Sequence, residues 1–340
     1  SVNKPIKCPP LLGYIPSKQK GDYAGMPTGL DRSRLFSTLC LGVLIAGTGG
    51  LYGSVLQQKA LPSAVLSPSP TGLSPDRPMG LGIEEEELGS AVRLDRAFHR
   101  IGYQLEAIRE GEADVPRLLL KKVPHDLDDL SDPDQRKALF LRVMLPLVLA
   151  VNEEIAEERA HLEALLARKA ARQSLTRQDR LWLAALAERY DVEDGDTAQL
   201  LARVDAVPPS LALAQAAEET GWGTSRLVRR SRNLFGLTGE SDAESSPMRR
   251  FGSLKEGVRA YIDTLNTHPA YTGLRRARQR AHANGRPLDG HQLAESLAAY
   301  SERGQAYVGT IRSLIRRNDL VAFDHARLAR PMRQHLAAAN

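Results

Sequence analysis

Apolar positions first gather at residues 35–56, the stretch LFSTLCLGVLIAGTGGLYGSVL, which runs from Leu35 to Leu56 without a charged residue. That length suits the ~20 residues a helix needs to cross a bilayer. Arg32 and Arg34 precede it, which predicts a cytoplasmic N-terminal side. The expectation is a single-pass signal anchor, a signal peptide that is cleaved, or a buried core helix. The first two export the rest of the chain. Residues 1–34 carry no helical period and read as disordered. Residues 57–88 are rich in Pro, Ser and Gly and read as a flexible linker.

A helical period begins near residue 89. Val92, Leu94, Phe98, Ile101, Leu105 and Ile108 form one apolar stripe. Residues 136–172 read as one long helix, or two joined near Pro146. Its run LFLRVMLPLVLAVNEEI is apolar almost all round, which predicts a buried core helix. Residues 175–190 and 197–204 predict two shorter helices separated by DVEDGD, a turn whose spacing does not fit a calcium loop. Pro208 and Pro209 stand where helix starts accept proline, and a helix over 210–219 follows. Beyond it, helices are expected over 254–265, 274–284, 292–299 and 306–317, with a short return strand at 248–251. The boundaries drawn are 89–207 for a helical region, 208–323 for a catalytic domain and 324–340 for a basic tail.

Composition narrows the class. Of 340 residues, 42% are hydrophobic and only 5% aromatic, which favours an Ala/Leu-rich helical protein over a β-sandwich. The formal net charge of +5 suits an anionic partner. RNA-binding aromatic motifs, zinc-finger spacing and a Gly-rich phosphate loop are missing from the sequence, so nucleic acid is not the expected partner. Cys8 and Cys40 both precede the helical part, which argues against a structural disulfide or a cysteine zinc site. No metal and no cofactor is expected, and the pattern leaves the oligomeric state open.

The chemistry concentrates in LALAQAAEETGWGTSRLVRRSRNLFG, residues 211–236. An apolar helix ends in Glu218 and Glu219, and Gly221, Trp222 and Gly223 break it. A carboxyl at such an end, against apolar side chains, has a raised pKa and is suited to give up a proton near neutrality. Neighbouring helical residues lie 100° apart. Glu218 and Glu219 therefore face different ways, and one of them is left to meet solvent or an arginine. Trp222 reads as a wall that shelters Glu219, or as a platform on which a ligand stacks.

Four blocks together carry a resemblance: AQAAEETGWGTSR (214–226), NLFG (233–236), RFGSLKEGVRAYIDTLNTHPAYTGLRRAR (250–278) and LAAYSERGQAYVGTIRSLIRRNDL (297–320). In this order they resemble the Bax-like branch of the endo-β-N-acetylglucosaminidase family of peptidoglycan hydrolases, over about residues 94–320. The resemblance implies a mainly α, α+β lysozyme-like fold, with a small β-hairpin lobe beside a glycan groove. It implies hydrolysis of N-acetylglucosamine glycosidic bonds, with peptidoglycan glycan strands as the partner. Glu219 matches the general acid. Glu240 and Glu244 are the candidates for a second carboxylate, in a lobe that is short here; failing both, the substrate's N-acetyl group is the nucleophile. Tyr307, and behind it Tyr300, match a tyrosine that supports catalysis. Trp222, Gly223, Asn233, Leu234, Phe235 and Gly236 are expected to line the groove. Two alternatives remain, lytic transglycosylase-like cleavage and a non-catalytic wall-binding protein.

Overall fold

A computed structural model describes residues 83–193, 195–239 and 248–330. The expected membrane segment at 35–56, the N-terminal segment, most of the linker and the end of the basic tail lie outside the described residues. So do Glu240 and Glu244. Among the described residues no helix is long and apolar enough to cross a membrane.

The stripe expected over 92–108 divides into α1 (Ala91–Arg100) and α2 (Leu105–Arg109). Leu94, Phe98, Leu105 and Ile108 are buried, whereas Val92 is 43% exposed. Val92 sits 200° round the helix from Leu94, so its place on the buried stripe is corrected.

The next helix, α3 (Pro133–Ala170), is one continuous element of 38 residues. Asp132 caps it by accepting from the Asp134 N–H at 2.9 Å. Pro133 occupies the first turn, where a missing N–H costs nothing. Pro146 removes one interior hydrogen bond. Every residue from Leu139 to Val151 is buried, however, so packing on all sides outweighs that loss. The one charge in this run, Arg142, pairs with Asp95 of α1 at 2.6 Å. Past Val151 only Ile155, Leu162 and Leu165 of α3 are buried. There it meets α4 (Arg177–Arg189), through an edge contact between His161 and Trp182, and α5 (Thr197–Arg203).

Helix α6 (Pro209–Thr220) lies in the centre, with every residue from Pro209 to Ala217 buried. It packs against α3 and against two later helices. The chain continues through α7 (Arg226–Ser231), α8 (Leu254–Thr267), α9 (Thr272–Ala283), α10 (Gly290–Leu293) and α11 (Gln305–Arg317). Helices α10 and α11 cover α6, and α8 lies on α3. Pro209 opens α6 at its first position. Asp324 then closes that end: its carboxylate accepts from the Ser210 N–H and hydroxyl, each at 2.8 Å. Upstream of α6, the fully buried Arg278 donates to the carbonyls of Asp205 and Ala206 and to the Asn266 side chain. These bonds fix the chain as it enters α6.

The described residues are thus mainly helical, as expected. The β-hairpin lobe is not shown. Two isolated bridges are present among the described residues, Val115 with Leu328 and Thr238 with Met248. Residues 248–251 form no strand, although the Arg249 N–H donates to the Leu237 carbonyl and the Phe251 N–H to the Ser231 carbonyl. Helix α7 was not anticipated, because its arginines hide any apolar period. The start of the expected tail folds back: Leu328 is buried, and the chain on either side of it exchanges backbone hydrogen bonds with Val115.

Candidate active site

Helix α6 ends in three successive left-handed residues, Gly221, Trp222 and Gly223, at φ of +57°, +61° and +81°. Thr220 holds this turn. Its hydroxyl donates to the Ala216 carbonyl at 2.6 Å and accepts from the Gly223 N–H at 2.8 Å. Gly223 is obligatory on two grounds. Its φ favours glycine, and a Cβ there would lie 2.8 Å from Leu127 and 2.9 Å from Phe140. The left-handed backbone of Trp222 costs about 1–2 kcal/mol. Its indole packs edge-to-face on Phe140 of α3, 5.9 Å between ring centres, with the Lys137 ammonium 6.0 Å from the ring. The turn is thereby pressed onto the core helix.

Glu219 occupies the last turn of α6 and is half-buried. The aromatic group in hydrogen-bond contact with it is Tyr307 of α11, whose hydroxyl donates to Glu219 Oε1 at 3.0 Å. Behind Tyr307 the Gln215 amide donates to the same phenolic oxygen at 3.0 Å. The Tyr261 hydroxyl in turn donates to Gln215 Oε1 at 2.6 Å. Tyr300 does not touch the carboxylate by hydrogen bond. Its ring stacks on Tyr307 at 5.5 Å, and its hydroxyl donates to the Phe235 carbonyl at 2.7 Å. Of the two tyrosine candidates, the structure brings Tyr307 to Glu219 and puts Tyr300 behind it.

Burial pushes the Glu219 carboxyl from 4.5 up to about 7. The Tyr307 hydroxyl opposes this by donating to the ionised form, the Glu218 charge adds to it, and Arg303 opposes it. Arg303 itself donates to Glu218 at 2.6 Å, so the surface ion pair falls to that neighbour. Glu219 is therefore poised to hold or release a proton near neutrality.

The NLFG turn closes the site from the other side. Gly236, at φ +66°, lies where a Cβ would stand 3.4 Å from Glu219 Oε2. Asn233 builds that turn: its amide nitrogen donates to the Leu237 and Arg249 carbonyls, and its oxygen accepts from the Leu237 N–H. The expectation that the side chains of Asn233, Leu234 and Phe235 line a groove is corrected. Leu234 and Phe235 are fully buried, with Phe235 stacked on Tyr261 at 3.8 Å, and Asn233 is committed to backbone. These residues shape the site by placing Gly236, not by presenting side chains.

Gln215 and Tyr261 were missed. Gln215 had a signal: it is the one polar residue in the apolar run 211–217, four positions before Glu219 and so on the same face. Tyr261 reads as an ordinary member of the α8 apolar stripe, and nothing local marks its hydroxyl.

A mainly helical protein that holds one carboxyl near neutrality beside a phenol, at a sharp helix end, has the class of site found in acid-assisted glycosidases. Residues 195–320 match the Glucosaminidase family model, described as mannosyl-glycoprotein endo-beta-N-acetylglucosaminidase. The chain is 31% identical over 212 residues to Protein bax of Escherichia coli (strain K12), across 59% of this chain and 76% of that protein. It belongs to the Bax-like glucosaminidase family. No solved structure matches it.

Proposed function

We propose that the protein is an endo-β-N-acetylglucosaminidase that hydrolyses glycosidic bonds in peptidoglycan, with Glu219 as general acid. The observation that carries this reading is a carboxyl raised to about 7 by burial, with the Tyr307 hydroxyl on one oxygen. Near pH 7 a large fraction of Glu219 is protonated. Its proton passes to the bridging oxygen as the C1–O bond breaks, and the electron pair of that bond leaves with the departing sugar. Tyr307 donates to the carboxylate that remains, so charge develops against a donor already in place. Water then adds its oxygen to C1 and gives a proton back to the Glu219 carboxylate, which restores the acid. Either a carboxylate in the segment after Gly236, Glu240 or Glu244, or the substrate's own N-acetyl oxygen stabilises C1 in the interval. The uncharged stretch at 35–56 supports the further proposal that this domain works outside the inner membrane.

The test is digestion of purified peptidoglycan with analysis of the new chain ends, run beside Glu219→Gln. Hydrolysis leaves a reducing N-acetylglucosamine end, and an anhydro end would replace this reading with a transglycosylase. The variant is expected to lose ~10²–10⁴ in rate, the usual worth of a general acid. Full retention of activity would remove Glu219 from the mechanism.

A further inference from the structure

We propose that Gln215 and Tyr261 are positioning residues, a one-way hydrogen-bond chain that commits the single Tyr307 proton to Glu219. This rests on the reading of Glu219 as the general acid. The chain runs from the Tyr261 hydroxyl to Gln215 Oε1 at 2.6 Å, from Gln215 Nε2 to Tyr307 Oη at 3.0 Å, and from the Tyr307 hydroxyl to Glu219 Oε1 at 3.0 Å. Gln215, Tyr261 and Tyr307 are each at most 1% exposed.

Direction comes from the donor inventory. A phenol has one proton to give and lone pairs to accept with. The Gln215 N–H takes a Tyr307 lone pair, so the Tyr307 proton is left to point at Glu219. That holds only while the amide presents its nitrogen to Tyr307. Tyr261 favours this arrangement: its hydroxyl donates to the amide oxygen at 2.6 Å, and with the amide reversed that buried proton would lose this acceptor. Were the amide reversed, its oxygen would draw the Tyr307 proton away, and Glu219 would lose its donor. Aligned chains of this kind also polarise one another inside a protein.

Three helices converge here, with Gln215 and Glu219 on α6, Tyr261 on α8 and Tyr307 on α11. The other titratable groups the structure sets around Glu219 are Glu218 on α6, Arg303 just before α11, and Tyr300. None of these lies in the chain, so each remains in place when the chain is cut. The chain stabilises the ionised form of Glu219, which is the form produced as the proton departs. Cutting it acts on the barrier and not on sugar binding, and so lowers kcat with KM unchanged.

The decisive measurement needs no substrate. The side-chain carboxyl of Glu219 is titrated by carbon NMR in the full chain with labelled glutamate, and its signal is identified by its loss in Glu219→Gln. Tyr307→Phe is expected to move the midpoint up by about one pH unit, the worth of a hydrogen bond to a charged acceptor. Tyr261→Phe keeps the ring stacked on Phe235 and removes one oxygen two links away. It is expected to move the midpoint in the same direction by less, and by nothing further once Tyr307→Phe is also present. Gln215→Met repeats the test at the middle link, and Tyr261→Phe decides alone if that variant fails to fold. The proposal is overturned if Tyr261→Phe leaves the midpoint unmoved, or moves it equally with and without the Tyr307 hydroxyl. Because the titration proceeds without catalysis, an inactive wild-type protein would sink the proposed function and still leave the chain to be judged.

Discussion

Replacing Glu219 by Gln is expected to stabilise the protein at alkaline pH and to leave its stability unchanged in acid. The carboxyl stands at about 7 in the fold against 4.5 for an unstrained glutamate. A carboxyl raised in this way binds its proton more tightly in the native state than in the unfolded chain. Its stability contribution is therefore full below pH 4.5 and is lost as pH rises toward 7, beyond which the loss is constant. Each pH unit of displacement is worth about 1.4 kcal/mol, so ionising Glu219 inside the fold costs about 3 kcal/mol. The side chain is only partly buried, and solvent screening reduces this to about 2 kcal/mol. The amide of Gln keeps the shape, keeps an oxygen to accept from Tyr307, and carries no charge. At pH 8 the variant should melt higher by about 4–8 °C, taking 2–4 °C per kcal/mol for a folded part of this size. At pH 4, where the native carboxyl is protonated, the two melting curves should coincide. Melting followed by circular dichroism at both pH values decides it. A gain equal at the two pH values, or none at pH 8, would refute the claim that a buried ionisation sits at this position. The same substitution that removes activity would thus add stability, as expected where a site is strained for function.

The two ends of α6 yield further expected outcomes. Gly223→Ala should destabilise by about 2–5 kcal/mol, since it adds left-handed strain to overlap with Leu127 and Phe140. Gly221→Ala, whose Cβ would meet only Thr224 Oγ1 at 3.2 Å, should cost no more than about 1–2 kcal/mol; equal losses in urea unfolding would contradict the assigned packing. Asp324, raised by burial to about 6 despite its bonds from Ser210 and Gly290, should weaken the fold as pH climbs from 4 to 6. Asp324→Asn should flatten stability over that window, and an unchanged slope would show the carboxyl to be solvated.

Much of this was legible in the sequence, and the boundary has physical causes. The core run of α3 was readable because unbroken apolar character needs no knowledge of partners. So was the break after α6, since Gly-Trp-Gly is local chemistry. Val92 misled because it extends a stripe by composition while falling on the opposite side of a real helix turn. Asn233, Leu234 and Phe235 misled for another reason. Residues fixed by a demanding turn and residues that touch a ligand look alike in a sequence. Only the paired amide of Asn233 and the full burial of its two neighbours separate the cases. The helix α7 lay hidden because its arginines mask any period, and the bond of Arg229 to Asp128 spans 101 positions.

The placement of Glu219 at the C-terminal end of α6 also bears on its proposed role as the acid. The first turn of a helix is positive and stabilises carboxylates, as it does for Asp324 through the Ser210 N–H. The last turn is negative and disfavours them. At Glu219 the upward push comes from burial, with the Glu218 charge adding to it. Had the glutamate capped the start of a helix, the N–H groups there would have opposed the effect of burial, as those of Ser210 and Gly290 do at Asp324. The chain leaves the helix at once after Thr220, and three residues at positive φ bring Trp222 onto Phe140 of α3. Trp222 is the costly member of that run, and its ring on Phe140 offsets the strain that Gly221 and Gly223 escape.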